Sequence, residues 1–328
     1  MAFVRAMVRA YGRYGLDPTA ALQQAQITPD QLRQTNARIT AQQMELVSAS
    51  AMQALDDEAL GWFSRRLPWG SYGLLCRASI TAHQLGLALT RWCRHHRLLT
   101  EDVGLSLEVM DSVATLSITE HRELGELREF CLVSLLRYVH GFACWAIDSR
   151  IPLREVGFPF AAPAHADAYP AMFPGSIAFG AGPARFAFDA AYLALPLRRD
   201  EAALQQMLTR ALPLTVRQYR RDRLLAERVR ELLQRRAAEL PNAAAVAGAL
   251  HLSTRTLHRQ LRDEGASLQS LKDEARRELA VAQLQRTRRP VKQIAQAVGF
   301  RSEKSFARAF RAWTGQSPAE LRRDGHAT

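Results

Sequence analysis

Cysteine is scarce in this chain, and its spacing excludes most of what cysteine does. The four residues, Cys76, Cys93, Cys131 and Cys144, form no CxxC pair, which argues against a zinc cluster or a redox couple. Each sits in an apolar segment and is expected as a buried reduced thiol. Long hydrophobic runs are absent too. No stretch approaches the roughly 18 apolar residues of a membrane span, so no membrane partner is expected. The N-terminal MAFVRAMVRAYGRYG interrupts its apolar residues with Arg5, Arg9 and Arg13 and lacks the apolar centre of a secretory signal. A cytoplasmic protein is the expectation. Glycine supplies no nucleotide loop: in FGAGPARF, Arg185 stands where a third glycine belongs, and the stretch reads as a turn. A GxSxG elbow and a phosphate-binding P-loop are both missing. Asp56, Asp57 and Glu58 read as a solvated helix start rather than a metal site, because neighbours on a helix point apart. No catalytic residue, metal or cofactor is expected.

Lysine is missing from the first 220 residues, where 22 arginines face 20 acids. From residue 221 onward, 22 Lys and Arg face only 12 acids. The net charge of +12 is therefore concentrated in the C-terminal third. A basic module joined to a near-neutral one points to a polyanion partner for the former alone. A solvated basic surface is the other reading of charge by itself.

What that third contains is a diverged repeat. VAGALHLSTRTLHRQLRDEGASLQSL (246–271) parallels IAQAVGFRSEKSFARAFRAWTGQSPAEL (294–321). Ala247 and Ala249 match Ala295 and Ala297 at a separation of 48. Ser253, Arg259 and Arg262 match Ser302, Arg308 and Arg311 at 49, and Gly265, Ser267 and Leu271 match Gly315, Ser317 and Leu321 at 50. The slips fall in the turns. Each copy predicts a short helix, a tight turn, and a second helix begun by a serine N-cap, Ser253 or Ser302. Phe306, Phe310 and Trp313 fall within about 60° on one side of the later helix, with Lys304, Arg308 and Arg311 roughly opposite. Leu257 and Leu261 oppose Arg255, Arg259 and Arg262 in the same way. One basic helix face is commonplace; its repetition at matched positions describes a pair of helix-turn-helix motifs, about 242–262 and 291–313. Between them LQSLKDEARRELAVAQLQR predicts a helix about 28 Å long. Successive major grooves on one face of DNA lie ~34 Å apart, so such a helix can hold both motifs over one double-stranded DNA.

On these residues, the stretch from about 220 to 323 resembles the DNA-binding domain of the AraC/XylS family of transcription regulators. The motif from PVKQIAQAVGF through SFARAFRAWTGQSPAELR carries most of the likeness. VAGALHLSTRTLHRQL departs from it at His251, where such motifs usually have glycine in the turn. The resemblance implies base-reading positions at Arg255, His258 and Arg259 in the first motif, and at Glu303, Lys304 and Arg308 in the second. Arg and Lys donate to guanine, His donates or accepts, and Glu accepts from cytosine. Thr254, Arg301 and Arg311 suit phosphates, and Ser253 and Ser302 complete the DNA-contacting set. Two alternatives stay open: Arg262 paired with acids, and Glu303 serving only its helix N-terminus.

Residues 1–200 read as an α+β domain, followed by a linker at 201–219 and an all-α domain at 220–328. Thr28-Pro29-Asp30 and Thr40-Ala41-Gln42-Gln43 open helices. Residues 61–73 read as loop, Thr81 to Leu99 as a helix, and LSLEVMDSVATLSITE as a hairpin turning at Asp111-Ser112. A long apolar helix spans roughly Leu124 to Ile147, and VGFPF, SIAFG and ARFAFD read as strands. The passages 67–99, 155–180 and 189–197 resemble the arabinose-binding-like N-terminal domain of one branch of the same family. That resemblance implies a small-molecule effector, dimerisation through this domain as a homodimer, and RNA polymerase as a partner. On a wheel for 85–99, Leu85, Ala88, Leu89, Trp92 and Leu99 form one apolar stripe, with His96 within about 20° of its centre. Two readings stand: a core histidine bonded to a backbone carbonyl, or an effector pocket lined by Trp92 and His96. The whole predicts an α+β N-terminal sensor domain followed by an all-α double helix-turn-helix DNA-binding domain in an effector-controlled transcription regulator. Two rivals remain: a DNA-repair or DNA-modifying enzyme carrying an AraC-type DNA-binding domain, and a nucleoid-type architectural protein.

Overall fold

A computed structural model of the protein describes residues 1–34, 37–209, 224–236, 242–287 and 289–324. The chain divides into two compact units, residues 1–220 and 221–328.

The first unit opens with helices α1 (Ala2–Arg13), α2 (Thr19–Gln24), α3 (Pro29–Arg33) and α4 (Ala41–Leu55). Thr28 and Thr40 begin α3 and α4 with full capping boxes, Gln31 and Gln43 reaching back to the cap amides. Helices α5 (Ser71–Ile80) and α6 (Leu85–Leu99) lead to strands β1 (Val103–Met110) and β2 (Val113–Glu120). Their hairpin turns at Asp111 and Ser112, both at positive φ, with Met110 opposite Val113. Helix α7 (Arg128–Ala146) is buried almost all round, which explains its lack of a polar face. Strand β3 (Leu153–Phe158), the short α8 (Tyr169–Met172), strands β4 (Ser176–Phe179) and β5 (Ala184–Asp189), and α9 (Glu201–Leu208) follow.

The five strands form one sheet in the order β1-β2-β5-β3-β4, with only β3 and β4 parallel. Buried residues alternate along β2 and β5 and meet as register partners: Ala114 with Phe188, Leu116 with Phe186, Ile118 with Ala184. That alternation makes one apolar face. On the helical side, α6 packs against β1 and α7 against β5. The result is the α+β arrangement expected.

Several local expectations are corrected. Residues 71–80 form α5, although residues 61–73 read as loop; Thr81 closes α5 instead of opening α6. Strand β3 stops at Phe158, because Pro159 has no amide hydrogen for the ladder. Asp56 ends α4 at positive φ, and Asp57 is 0% exposed, not the start of a solvated helix. The expected linker 201–219 begins as helix α9, capped by Asp200, with Leu204 fully buried and α5 as its neighbour. Residues 210–219 lie outside the described residues.

The second unit comprises α10 (Leu224–Arg236), α11 (Ala243–Ala249), α12 (Thr254–Asp263), α13 (Leu268–Arg286), α14 (Val291–Ala297), α15 (Glu303–Thr314) and α16 (Pro318–Asp324). Its described residues form two small cores. Val229, Leu233, Val246, Leu257, Leu261 and Leu271 build the first; Leu284, Ile294, Val298, Phe306 and Phe310 build the second. The 19-residue α13 serves both, giving Ala275 to one and Ala280 to the other. Glu264, buried at the end of α12, accepts hydrogen bonds from the Leu225 and Ala226 amides at 3.1 and 2.7 Å. A carboxylate there satisfies orphan donors of α10 and complements its dipole.

Candidate functional site

The two helix-turn-helix motifs are built alike, bond for bond. In the first turn Leu252 N–H donates to the Ala247 carbonyl at 2.9 Å; in the second, Phe300 N–H donates to Ala295 at 2.8 Å. His251 sits at φ +56° and Gly299 at +85°, so both turns use the left-handed region. Glycine enters that region freely, whereas a side-chain-bearing residue pays a steric penalty of ~1–2 kcal/mol. His251→Gly is therefore expected to stabilise the first motif by ~0.5–1 kcal/mol, glycine's extra chain entropy taking back part of the relief. Amide exchange across residues 246–262 measures it. Unchanged or faster exchange in the variant would show that the His251 side chain contributes more than its strain costs.

Ser253 and Ser302 accept from the Thr256 and Ser305 amides, each at 3.1 Å, so both hydroxyls act as helix caps. Beyond the caps, Thr254, Arg255, His258 and Arg259 are exposed on α12, and Glu303, Lys304 and Arg308 on α15, with Arg301 just before it. Leu257, Leu261, Phe306 and Phe310 are buried on the opposite faces. Among the described residues no ion pair engages Arg255, Arg259, Arg262, Lys304 or Arg308. Arg311 stands 3.9 Å from Glu320, both substantially exposed, a contact of little energetic weight. Two rows of solvated cations, each held by a capped helix on a small core, are thus presented on equivalent elements.

The first unit contains a cavity of about 310 Å³. Trp92 and His96 on α6 both line it, together with Trp62, Tyr72 and Tyr138, and its wall extends to Leu208 and Thr209 at the end of α9. The aromatic rings form a connected surface: Tyr72 lies 5.6 Å from both Trp92 and Tyr138, and Tyr138 lies 6.2 Å from Trp62. A second cavity, about 320 Å³, shares Met52 and Tyr138 with the first. Glu58, on the first cavity's wall, accepts from the Gly70 amide at 2.8 Å and the Tyr72 amide at 2.6 Å and so caps α5. Burial holds its carboxyl above the usual range. Sequence reasoning missed Glu58 and Trp62, from the loop after α4, Tyr72 from α5 and Tyr138 from α7; no spacing in the sequence joins these three elements.

His96 is 2% exposed, and its Nδ1 has no hydrogen-bond partner. Burial pushes its pKa down to about 4, so the imidazole is neutral at pH 7. Between that value and the unfolded ~6.5, the unfolded chain binds a proton that the folded chain does not. Stability is then lost as pH falls below 6.5, at up to ~1.4 kcal/mol per pH unit. His96→Leu is expected to shrink the loss between pH 7 and pH 5 by ~2 kcal/mol, read by urea unfolding at both values. An equal loss in variant and parent would show that His96 titrates normally.

Among the described residues no group of three or more His, Cys, Asp or Glu side chains is arranged to hold a metal ion. The four cysteines are buried free thiols, and no described helix is long and apolar enough to cross a membrane.

With this geometry in hand, known proteins supply the context. Residues 15–197 match the model for the arabinose-binding domain of AraC transcription regulators, N-terminal. Residues 246–324 match a helix-turn-helix domain. The ornithine utilization regulator of Pseudomonas aeruginosa is 28% identical over 323 residues, spanning 98% of this chain and 95% of that one. The regulator VqsM of the same organism is 36% identical over 102 residues, 31% of each chain. The crystal structure of the transcriptional regulator CdpR, also from Pseudomonas aeruginosa, covers 98% of both chains at 21% identity with a TM-score of 0.34. The chain belongs to the AraC family of transcription regulators, as an effector-controlled DNA-binding regulator with an arabinose-binding-like sensor domain.

Proposed function

We propose that the regulator reads its operator with the exposed faces of α12 and α15, one in each of two successive major-groove segments. Arg255, His258 and Arg259 meet bases from the first helix, and Glu303, Lys304 and Arg308 from the second. Thr254, Arg301 and Arg311 hold phosphates, while Ser253 and Ser302 fix the helix N-termini that face the backbone. The observation that supports this is the repetition of an exposed cationic row opposite each buried apolar face, in which, among the described residues, only Arg311 has a carboxylate near it, Glu320 at 3.9 Å. The effector occupies the aromatic cavity, touching Trp92 and His96. Family membership supports a homodimer that works with RNA polymerase in the cytoplasm, without catalysis of its own.

Selection of bound sequences from a random DNA pool tests the reading: a defined motif with two contacted segments is the expected outcome. Recovery of sequences without a shared motif would favour an architectural role. Arg308→Ala and Arg259→Ala are each expected to weaken binding to the selected sequence by ~1–3 kcal/mol, with a smaller loss on random DNA. An equal loss on both DNAs would make these residues phosphate contacts.

A further inference from the structure

The wall of the sensor cavity limits what can enter it. Among the described residues, three charged side chains line it: Glu45, Glu58 and Arg77. Glu58 already accepts from two amides of the α5 N-terminus, and Arg77 donates to Glu201 at 2.9 Å. Glu45 is likewise not free. Among the described residues, an anionic ligand would therefore lose its hydration without meeting an unpaired cation, and an ammonium would have to compete with the two amides that already hold both Glu58 oxygens, so neither transfer is well compensated. A carboxylate would in addition approach Glu58.

Three side chains that line the cavity carry buried polar atoms without partners. The Trp62 indole N–H and the His96 Nδ1 make no hydrogen bond, and both side chains are 2% exposed. The Tyr72 hydroxyl has the Cys76 thiol as its polar neighbour but makes no hydrogen bond of good geometry. Indole nitrogen only donates, and a neutral imidazole or a phenol can donate as well. An acceptor brought among them removes the penalty of leaving buried donors unmade. The three atoms themselves are covered, so a ligand engages them by turning a ring toward itself. The rest of the lining, Phe63, Leu75, Trp92 and Leu135 among it, offers flat apolar contact.

We infer that the cavity takes an uncharged, largely apolar ligand carrying a hydrogen-bond-accepting oxygen, as an aromatic ketone or an acyl ester does. Its body lies along the aromatic wall, and its oxygen takes the Trp62 N–H. This inference rests on the reading of the cavity as the effector site.

The test is calorimetric titration of the full-length chain with 2-acetylnaphthalene and methyl octanoate, set against 2-naphthoate, octanoate and octylammonium. The neutral probes are expected to bind at least tenfold more tightly than their charged counterparts. Trp62→Phe, which keeps the ring and removes the donor, is expected to weaken them at least threefold without lowering the melting temperature. Ala49→Trp fills the cavity from α4 and is expected to abolish binding. Gln53→Trp, at the exposed rim, repeats that arm if Ala49→Trp melts early. Tighter binding of charged probes, lost in the filled variants, overturns the ligand class and leaves the cavity as the effector site. Neutral binding that survives both filled variants, or no binding by any probe, overturns the cavity reading itself.

Discussion

Phe306→Ala is expected to unfold the second helix-turn-helix motif at a cost of ~3–5 kcal/mol, the range for truncating a buried phenylalanine. Phe306 is 0% exposed. Its ring meets Phe300 edge-on at 5.6 Å and lies 5.5 Å from Phe310. The surrounding core is small, with Ile294, Val298, Ala280 and Leu284 its other main buried members. Few neighbours are available to collapse into the void, which places the cost toward the upper end. Two compact units make a single unfolding transition an unsafe measure. Amide exchange resolved over residues 294–310 is the better one, because it reads the motif alone. Protection there should fall by two or more orders of magnitude, while residues 246–262 change far less. Wild-type protection in the variant would mean that the apolar face of α15 does not hold the motif together.

Asp57→Ala should cost about as much, ~3–5 kcal/mol, for a different reason. One Asp57 carboxylate oxygen accepts from the Ala59 amide at 3.0 Å and the Leu67 amide at 2.9 Å. The other accepts from the Gly61 amide and the Tyr14 hydroxyl, both at 2.7 Å. Alanine would leave three buried amides and a phenol without an acceptor, and each unmade bond costs ~1–3 kcal/mol before relaxation. Tyr14, whose pKa burial and the Asp57 hydrogen bond push up to about 12, stays a donor throughout the working pH range. Asp57→Asn keeps one acceptor oxygen and should lose about half as much. Urea unfolding followed by near-ultraviolet dichroism measures both, since the loop carries Trp62 and Phe63. A loss under ~1 kcal/mol for alanine would show that the loop holds its own shape. A large loss should also abolish ligand binding, because Glu58, Trp62 and Leu67 of this loop line the cavity.

Both residues bear on how much the sequence alone decides. Phe306 was legible: three aromatics at helical spacing opposite three cations fix which side turns inward, and the repeat at separations of 48 to 50 fixes the motif. The serine and threonine caps and the Asp111-Ser112 turn were legible for the same reason, whereas the glycine-like turn position of His251 was implied only by the family resemblance. The caps and the turn each depend on residues within about four positions of one another, where backbone geometry leaves few choices. Trp92 and His96 were placed on one stripe by the same periodicity.

Asp57 was not legible, because its partners lie up to 43 positions away, at Tyr14 just past the end of α1. Three adjacent acids look solvated until the chain path brings amides around one of them. Helix α5 was missed on similar grounds: the carboxylate that caps it comes from Glu58, twelve residues upstream. The cavity shows the limit most fully. Its wall takes Trp62 from a loop, Tyr72 from α5, Trp92 and His96 from α6, Tyr138 from α7 and Leu208 from α9. The strand order β1-β2-β5-β3-β4 likewise sets β4 parallel beside β3, though β5 follows β4 in the chain. Local spacing determined which face the amphipathic helices turn inward and, where a serine or threonine caps them, where they start. Only tertiary packing decided which distant groups meet, because desolvation and hydrogen bonding select partners in space rather than along the chain.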